Sequence, residues 1–144
     1  MKKLLFLLII PFLAVACSDS DDSTELFVDY YTIRQNEWIR VGEQDQLNTF
    51  YMSPAINIPQ LSNYVYDAGA VMVYMEIDGK FHTPLPYTIY NGEINEFGKR
   101  LWSALYDYEY TPGFITFYST LSDFYDGGQI PPTTTFKVVF LWKK

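Results

Sequence analysis

The chain of 144 residues contains one cysteine, Cys17, and one histidine, His82. A single cysteine excludes an intramolecular disulfide, and one cysteine with one histidine is a poor ligand set for a soft metal. Basic residues are also scarce, because 10 Lys and Arg stand against 17 Asp and Glu and form no dense cluster. Phosphate recognition requires such clusters. The composition therefore argues against a nucleic-acid partner and indicates no metal and no other cofactor.

The sequence also lacks an apolar run long enough to cross a membrane, which takes about 20 residues. The run from Leu4 to Leu13 has ten residues, follows two lysines and precedes Ala-Val-Ala-Cys at positions 14–17. This arrangement resembles a bacterial lipoprotein signal peptide, which is cleaved before a cysteine that then receives acyl chains such as palmitate. It departs from that pattern at Ala14, where leucine is preferred. We expect residues 1–16 to be the signal and Cys17 to be lipidated; the alternative is a secreted protein with a free cysteine.

An acidic tether follows the cysteine. Residues 17–25 include Asp19, Asp21 and Asp22 and contain little that could enter a core. This run resembles the surface-export signal of Bacteroidetes lipoproteins, which implies an outer-membrane protein displayed on the cell surface; a periplasm-facing lipoprotein is the alternative. Without residues 1–16, eight basic residues face seventeen acidic ones, a net charge of −9 that repels anionic polymers.

Residues 26–144 have the length of a single domain and the pattern of a β protein, with short runs of Tyr, Phe, Val, Ile and Thr between turn residues. The sequence predicts an all-β fold, an antiparallel β-sandwich of about seven to nine strands, Ig-like or jelly-roll-like, with a small β-barrel as the alternative. The predicted strands cover 27–34, 38–41, 49–58, 70–77, 80–85, 87–90, 101–110, 114–119 and 134–142.

Turn residues divide these strands. Asp78-Gly79 predicts a type I′ hairpin, Asn91-Gly92 a second turn, and Pro112-Gly113 a type II turn. The only helix candidate is 61–68, with Ser62 as N-cap and Gly69 expected at positive φ.

Part of the chain resembles small Bacteroidetes cell-surface lipoproteins. The resemblance extends over roughly residues 26–142 and implies an all-β domain, but it supplies no catalytic residues. It is carried by four segments: Gly-Ala-Val-Met-Val-Tyr at 69–74, Pro-Leu-Pro-Tyr at 84–87, Pro-Gly-Phe-Ile-Thr-Phe at 112–117 and Phe-Lys-Val-Val at 136–139.

Catalytic chemistry has little support. His82 is the one imidazole base, and no glycines of a nucleophile elbow surround any serine that could join it. Asp107 and Glu109 share one strand face, whereas a glycosidase needs carboxyls on opposite sides of a bond. The loop at 123–128 lacks the alternating acids of a calcium site. The sequence therefore predicts a protein that is not an enzyme. The partners considered for His82 are Ser103, Ser119, Ser122, Asp78 and Asp107.

Aromatic residues are the compositional excess, at 19% of the chain. We expect Trp102, Phe114, Phe136 and Phe140 to pack in the core together with Tyr106. Tyr106, Tyr108 and Tyr110 share one face of a long strand, and we expect them to supply ligand contacts where that face reaches the rim.

These features predict a non-catalytic binding or accessory module for a protein or glycan that the sequence does not identify. A carbohydrate-binding module of a glycan-uptake system is one alternative. A structural subunit of an envelope assembly is the other, and it would pair through an unpaired edge strand at 49–58 or 134–142.

Overall fold

A computed structural model of the protein describes residues 23–43, 46, 49–122 and 130–144. Cys17, Asp19, Asp21, Asp22 and the 123–128 loop lie outside these ranges. The described elements are β1 (Thr24–Ile33), a 3-10 turn (Gln35–Glu37), β2 (Ile39–Val41), β3 (Phe50–Met52), β4 (Ile56–Asn57), α1 (Asn63–Ala68), β5 (Ala70–Ile77), β6 (Phe81–Pro84), β7 (Tyr87–Asn95), β8 (Gly98–Thr111), β9 (Phe114–Leu121) and β10 (Thr134–Lys143).

The strands form two antiparallel sheets. One has the order β1-β10-β5-β6, and the other has the order β2-β3-β9-β8-β7 with β4 also paired to β9. The two sheets do not close into a barrel in the described part of the chain. The predicted antiparallel sandwich is therefore confirmed, with ten strands where seven to nine were expected.

The core lies between the sheets and is largely aromatic. Phe117 of β9 stacks on Phe136 of β10 with ring centroids 4.0 Å apart, and the Trp38 ring meets Phe136 edge-on. Phe140 of β10 is fully buried and stacks on Phe27. Alternate residues of β10 thus point into the core, as its period-two pattern predicts.

The prediction that Phe114 belongs to this core is wrong, because its side chain is 44% exposed while the adjacent Ile115 is fully buried. Successive residues of a strand face opposite sides, so the turn that opens β9 decides which of the two points inward.

Two of the three turn predictions are confirmed. Asp78 and Gly79 both have positive φ, 54° and 63°, and Gly113 has φ 81°. The Asn91-Gly92 turn is wrong, since both residues lie inside β7 and the hairpin turns at positions 96–97. Gly92 instead makes room for a neighbour: an added Cβ would lie 2.8 Å from Cδ2 of Leu101.

Helix α1 begins as expected, because the Ser62 hydroxyl accepts a hydrogen bond from the Val65 amide at 3.2 Å. The expectation of positive φ at Gly69 is wrong, since this residue is extended with φ −93° and ψ −179°. A Cβ there would lie 2.6 Å from the Val65 carbonyl oxygen and 3.0 Å from that of Leu141. Close backbone approach, rather than left-handed geometry, selects glycine.

The strand edges also differ from expectation. The segment 49–58 divides into β3, which lies between β2 and β9, and β4, which pairs with β9. The segment 134–142 is central, because β10 lies between β1 and β5. Its proposed role as an unpaired edge is wrong. In the described chain, β7 and β2 are the outer strands of the larger sheet, and β1 and β6 those of the smaller one.

Candidate ligand-binding groove

Three tyrosine rings meet at one end of the sandwich. Tyr108 and Tyr110 lie on the same face of β8 and stack with centroids 6.1 Å apart and planes at 18°. Tyr66 of α1 meets the Tyr110 ring edge-on, at 5.6 Å and 72°. These geometries are the ones that aromatic pairs prefer. The three rings form a continuous aromatic wall, hereafter the tyrosine wall.

Helix α1 is held in place by buried anchors. Leu61 and Val65 are buried against the sandwich, and the Leu61 carbonyl accepts a hydrogen bond from the Gly113 amide at 2.6 Å. The Gly113 carbonyl in turn accepts a bond from the Ile58 amide at 2.8 Å. Because these contacts fix the apolar side of a short helix, its other side faces solvent, with Tyr66 43% exposed.

The tyrosine wall lines an open groove of about 590 Å³. The groove is also lined by Asp67, Glu109 and Thr111. Asp67 of α1 is exposed and supplies a carboxylate beside the rings. Glu109 and Thr111 alternate with the tyrosines along β8, so their side chains point to the other face of the sheet, where Glu109 accepts a hydrogen bond from the Tyr118 hydroxyl at 3.0 Å. The groove thus combines flat apolar faces with a hydrogen-bond acceptor.

Burial raises the pKa of two phenols on this part of the larger sheet, Tyr108 and Tyr118. It is the first cause that raises the pKa of Tyr108, and the neighbouring Tyr110 and Asp107 raise it further. The pKa of Tyr118 is raised by burial and by the Glu109 carboxylate that it contacts. The Tyr108 hydroxyl donates to the Val71 carbonyl at 3.3 Å. These phenols therefore act as neutral donors, and the Tyr108 ring is tied to the smaller sheet.

The third predicted ligand-contact residue, Tyr106, does not join the tyrosine wall. It is only 3% exposed, so the expectation that it contacts a ligand at the rim is wrong. Its phenol is hydrogen-bonded to the Ser119 and Thr134 side chains, and burial raises its pKa. The smaller sheet and Trp38 cover this part of β8, whereas the strand end that bears Tyr110 extends to the groove. The Tyr106 side chain does line a second, smaller cavity of about 180 Å³, together with Ile89 and Trp102.

Sequence reasoning missed Tyr66 and Asp67. Their helix was expected, but nothing local relates position 66 to position 110, 44 residues further along the chain. The hydrogen bonds between the α1 entry and the Pro112-Gly113 turn, together with the burial of Leu61 and Val65, bring the helix to the end of β8.

The residues considered for catalysis are not assembled. His82 lies in the smaller sheet, with Nε2 3.6 Å from Oε2 of Glu76 and its ring beside Tyr30. The Ser103 amide donates a hydrogen bond to the Ser122 hydroxyl, and the Ser122 amide donates one to the Ser103 carbonyl. Ser119 is buried beside Tyr106. Among the described residues no group of three or more His, Cys, Asp or Glu side chains is arranged to hold a metal ion.

Comparison with known proteins adds no assignment. No family model, no curated protein and no solved structure matches the chain. Within the part that the structure describes, no helix has the length and apolar character needed to cross a membrane.

Proposed function

We propose that the protein is a lipid-anchored, non-catalytic binding module of the outer membrane, displayed on the cell surface, and that it binds a neutral glycan in the groove. The observation that carries this proposal is the tyrosine wall with the exposed Asp67 at its edge. An aromatic ring offers a flat apolar face to a sugar ring, and it loses little conformational entropy on binding because it has few rotatable bonds.

The Asp67 carboxylate supports a neutral sugar in particular. A carboxylate accepts strong hydrogen bonds from hydroxyl groups, which a sugar presents around its ring. An acidic sugar would instead meet this carboxylate on a chain that, without residues 1–16, has nine more acidic than basic residues. An uncharged oligosaccharide is therefore favoured over an anionic one.

Helix α1 offers a matched pair of substitutions to test this. Tyr66→Ala removes one ring of the tyrosine wall, and we expect it to weaken oligosaccharide binding by about tenfold or more, since a central aromatic contact contributes about 1–2 kcal/mol or more. Tyr64→Ala removes a ring of the same helix that is 53% exposed and does not line the groove. We expect that variant to bind as the wild type does.

The measurement is an array of neutral oligosaccharides, followed by calorimetric titration of each array-positive sugar with the three proteins. Wild-type protein that binds no glycan on the array, or equal affinities of Tyr66→Ala and wild type, would contradict the proposed ligand class. Binding of acidic glycans alone would contradict the argument that the negative charge of the chain favours an uncharged sugar.

The anchor is tested separately, at Cys17. We expect Cys17→Ser to leave the membrane fraction, because a cleaved signal peptide and a single acylation site leave no other membrane attachment. Fractionation of washed membranes measures this, with Ser18→Ala as the control. Retention of Cys17→Ser in the membranes contradicts the lipoprotein assignment and leaves the groove proposal standing.

The export role proposed for Asp19, Asp21 and Asp22 has its own readout. Protease treatment of intact cells should digest the wild-type protein and spare a triple alanine variant of these residues. The total amount of the variant in lysed cells serves as the control. Equal digestion of both proteins would show that the acidic tether does not direct surface display.

A further inference from the structure

The hairpin of β7 and β8 exposes an unusual amount of apolar surface. Tyr90, Ile94, Phe97 and Leu101 are 85%, 86%, 91% and 64% exposed. Among the described residues β7 pairs with β8 alone, so its outer edge has no strand beside it. A long edge strand with exposed apolar side chains is a surface that another strand can cover.

The backbone of β7 is oriented for such pairing. Ser103, which lies opposite Tyr90, uses its amide and its carbonyl to bond Ser122 on the other side of β8. In an antiparallel ladder this makes Tyr90 and Ser103 a non-hydrogen-bonded pair, so the Tyr90 amide and carbonyl point to the free edge. The alternation of the ladder gives Thr88, Gly92 and Ile94 the same orientation.

Charge favours a second copy of this chain as the occupant. The chain has a net charge of −7, which opposes self-association over most of its surface. The segment 91–101 is locally balanced, however, with two acidic and two basic residues. Two of these, Glu93 and Arg100, already lie 3.7 Å apart. The two acids lie at 93 and 96 and the two bases on β8, so the hairpin as a whole carries no net charge where two copies meet.

We propose that two copies of the chain pair antiparallel through β7, with a two-fold axis at Gly92, and so join their larger sheets into one. In this register Tyr90 of each copy lies opposite Ile94 of the other, and Asn91 lies opposite Glu93. An aromatic side chain opposite a β-branched one is a favourable cross-strand pair, and an amide can donate to a carboxylate.

Neighbouring registers fit less well. With the axis at Glu93, the carboxylates of the two copies face each other directly, which is unfavourable. With the axis at Asn91, Tyr90 lies opposite Gly92 and loses its partner. The exposed side chains of the two β7 strands therefore pair best when the two-fold axis lies at Gly92.

Leu101 closes the contact at the axis. Its Cδ2 lies 2.8 Å from where a Cβ of Gly92 would be, so this side chain extends over the glycine toward the free edge. In the proposed pair the two Leu101 side chains meet above the two Gly92 residues. The two leucine side chains fit there because Gly92 has no side chain.

Disulfide trapping of the full chain tests both the pairing and its register. In the proposed register the cysteines of a Tyr90→Cys/Ile94→Cys double variant lie opposite each other in two copies. Mild oxidation of membranes that contain this variant should give a covalent dimer. Tyr90→Cys and Ile94→Cys alone place their cysteines about 13 Å apart along the paired strands and should give none. These single variants and the wild type also control for Cys17.

A mass measurement by sedimentation in detergent provides the second test. The wild-type chain should sediment as a dimer and Ile94→Asp as a monomer, because aspartate has no aliphatic stem to pack on Tyr90 of the other copy and adds a negative charge beside Glu93. Phe81→Asp, an equally drastic change at a residue 64% exposed in the other sheet, should remain a dimer. A monomeric wild type, a dimeric Ile94→Asp protein, or double-cysteine protein that does not crosslink beyond the single variants overturns the proposal.

This inference is independent of the glycan proposal. Strand β8 runs from the hairpin to the groove, so Leu101 and Tyr108 lie about 24 Å apart along it. Ile94→Asp should therefore lose the dimer and keep its affinity for a sugar in the groove, whereas Tyr66→Ala should do the reverse.

Discussion

Replacement of Phe136 with alanine should lower the free energy of unfolding by about 3–5 kcal/mol, the cost of truncating a fully buried phenylalanine. The Phe136 ring has no solvent exposure, stacks on Phe117 at 4.0 Å and receives the edge of Trp38 at 6.4 Å. Phe117 is held in β9 of the opposite sheet and Trp38 in the segment that leads into β2, so these rings cannot both move inward to fill the space. The substitution thus removes buried apolar area and also leaves a cavity.

Phe114→Ala is the matched control for this prediction, since it deletes the same side chain from a position that is 44% exposed. We expect it to cost less than about 1 kcal/mol. Urea unfolding of the two variants and the wild type, followed by tryptophan fluorescence, measures the difference. Equal losses at the two positions would contradict the assignment of Ile115 and Phe117, rather than Phe114 and Thr116, to the core face of β9.

Local pattern was enough to predict the fold wherever the determining residues are neighbours in sequence. The alternation of β10 gave its core face, because period two is a property of the strand itself. Asp78-Gly79 and Pro112-Gly113 gave their turns, because each requires positive φ within the same few residues. Neither prediction depends on which segments pack against the strand or the turn.

The errors arise where a distant segment decides the outcome. Asn91-Gly92 has the composition of a turn, yet both residues pair within β7, and position 92 takes glycine because Leu101 of the next strand occupies the space that a side chain would fill. The segment 134–142 reads as an ordinary strand, and only its pairing with β1 on one side and β5 on the other makes it central. Neither contact is encoded within the segment concerned.

The candidate site divides in the same way. Period two predicted that Tyr108 and Tyr110 share a face, and the stacked rings confirm it. The same rule grouped Tyr106 with them, but the coverage of that face by Trp38 ends between positions 106 and 110. Where a sheet is covered depends on the opposite sheet and on the helix, so the extent of the tyrosine wall had to come from the structure.

The second large effect is expected at Gly69, the residue that joins α1 to β5. Any side chain there must place a Cβ 2.6 Å from the Val65 carbonyl oxygen and 3.0 Å from the Leu141 carbonyl oxygen, and both are backbone atoms. Real Cβ atoms essentially never come closer than 3.0 Å to such atoms, so the helix or β10 has to shift. We expect Gly69→Ala to cost about 3 kcal/mol, at the upper end of what overpacking typically costs.

Asparagine distinguishes this steric cause from a left-handed backbone. Asparagine tolerates positive φ, so it should be the mildest substitution at Gly113, which has φ 81° and no atom within 4 Å of its Cβ position. At Gly69, where φ is −93°, Asn should cost at least as much as Ala, because both carry the Cβ that clashes. Urea unfolding of Ala and Asn variants at the two sites checks this. An asparagine at Gly69 that is clearly milder than alanine would contradict the close-approach explanation.

The nearer of the two clashing atoms, at 2.6 Å, is the Val65 carbonyl oxygen of α1, so we expect the helix to be the element that shifts. Such a shift moves Tyr66 away from Tyr110. Gly69→Ala should therefore weaken sugar binding as well, whereas Gly113→Asn should leave it closer to that of the wild type.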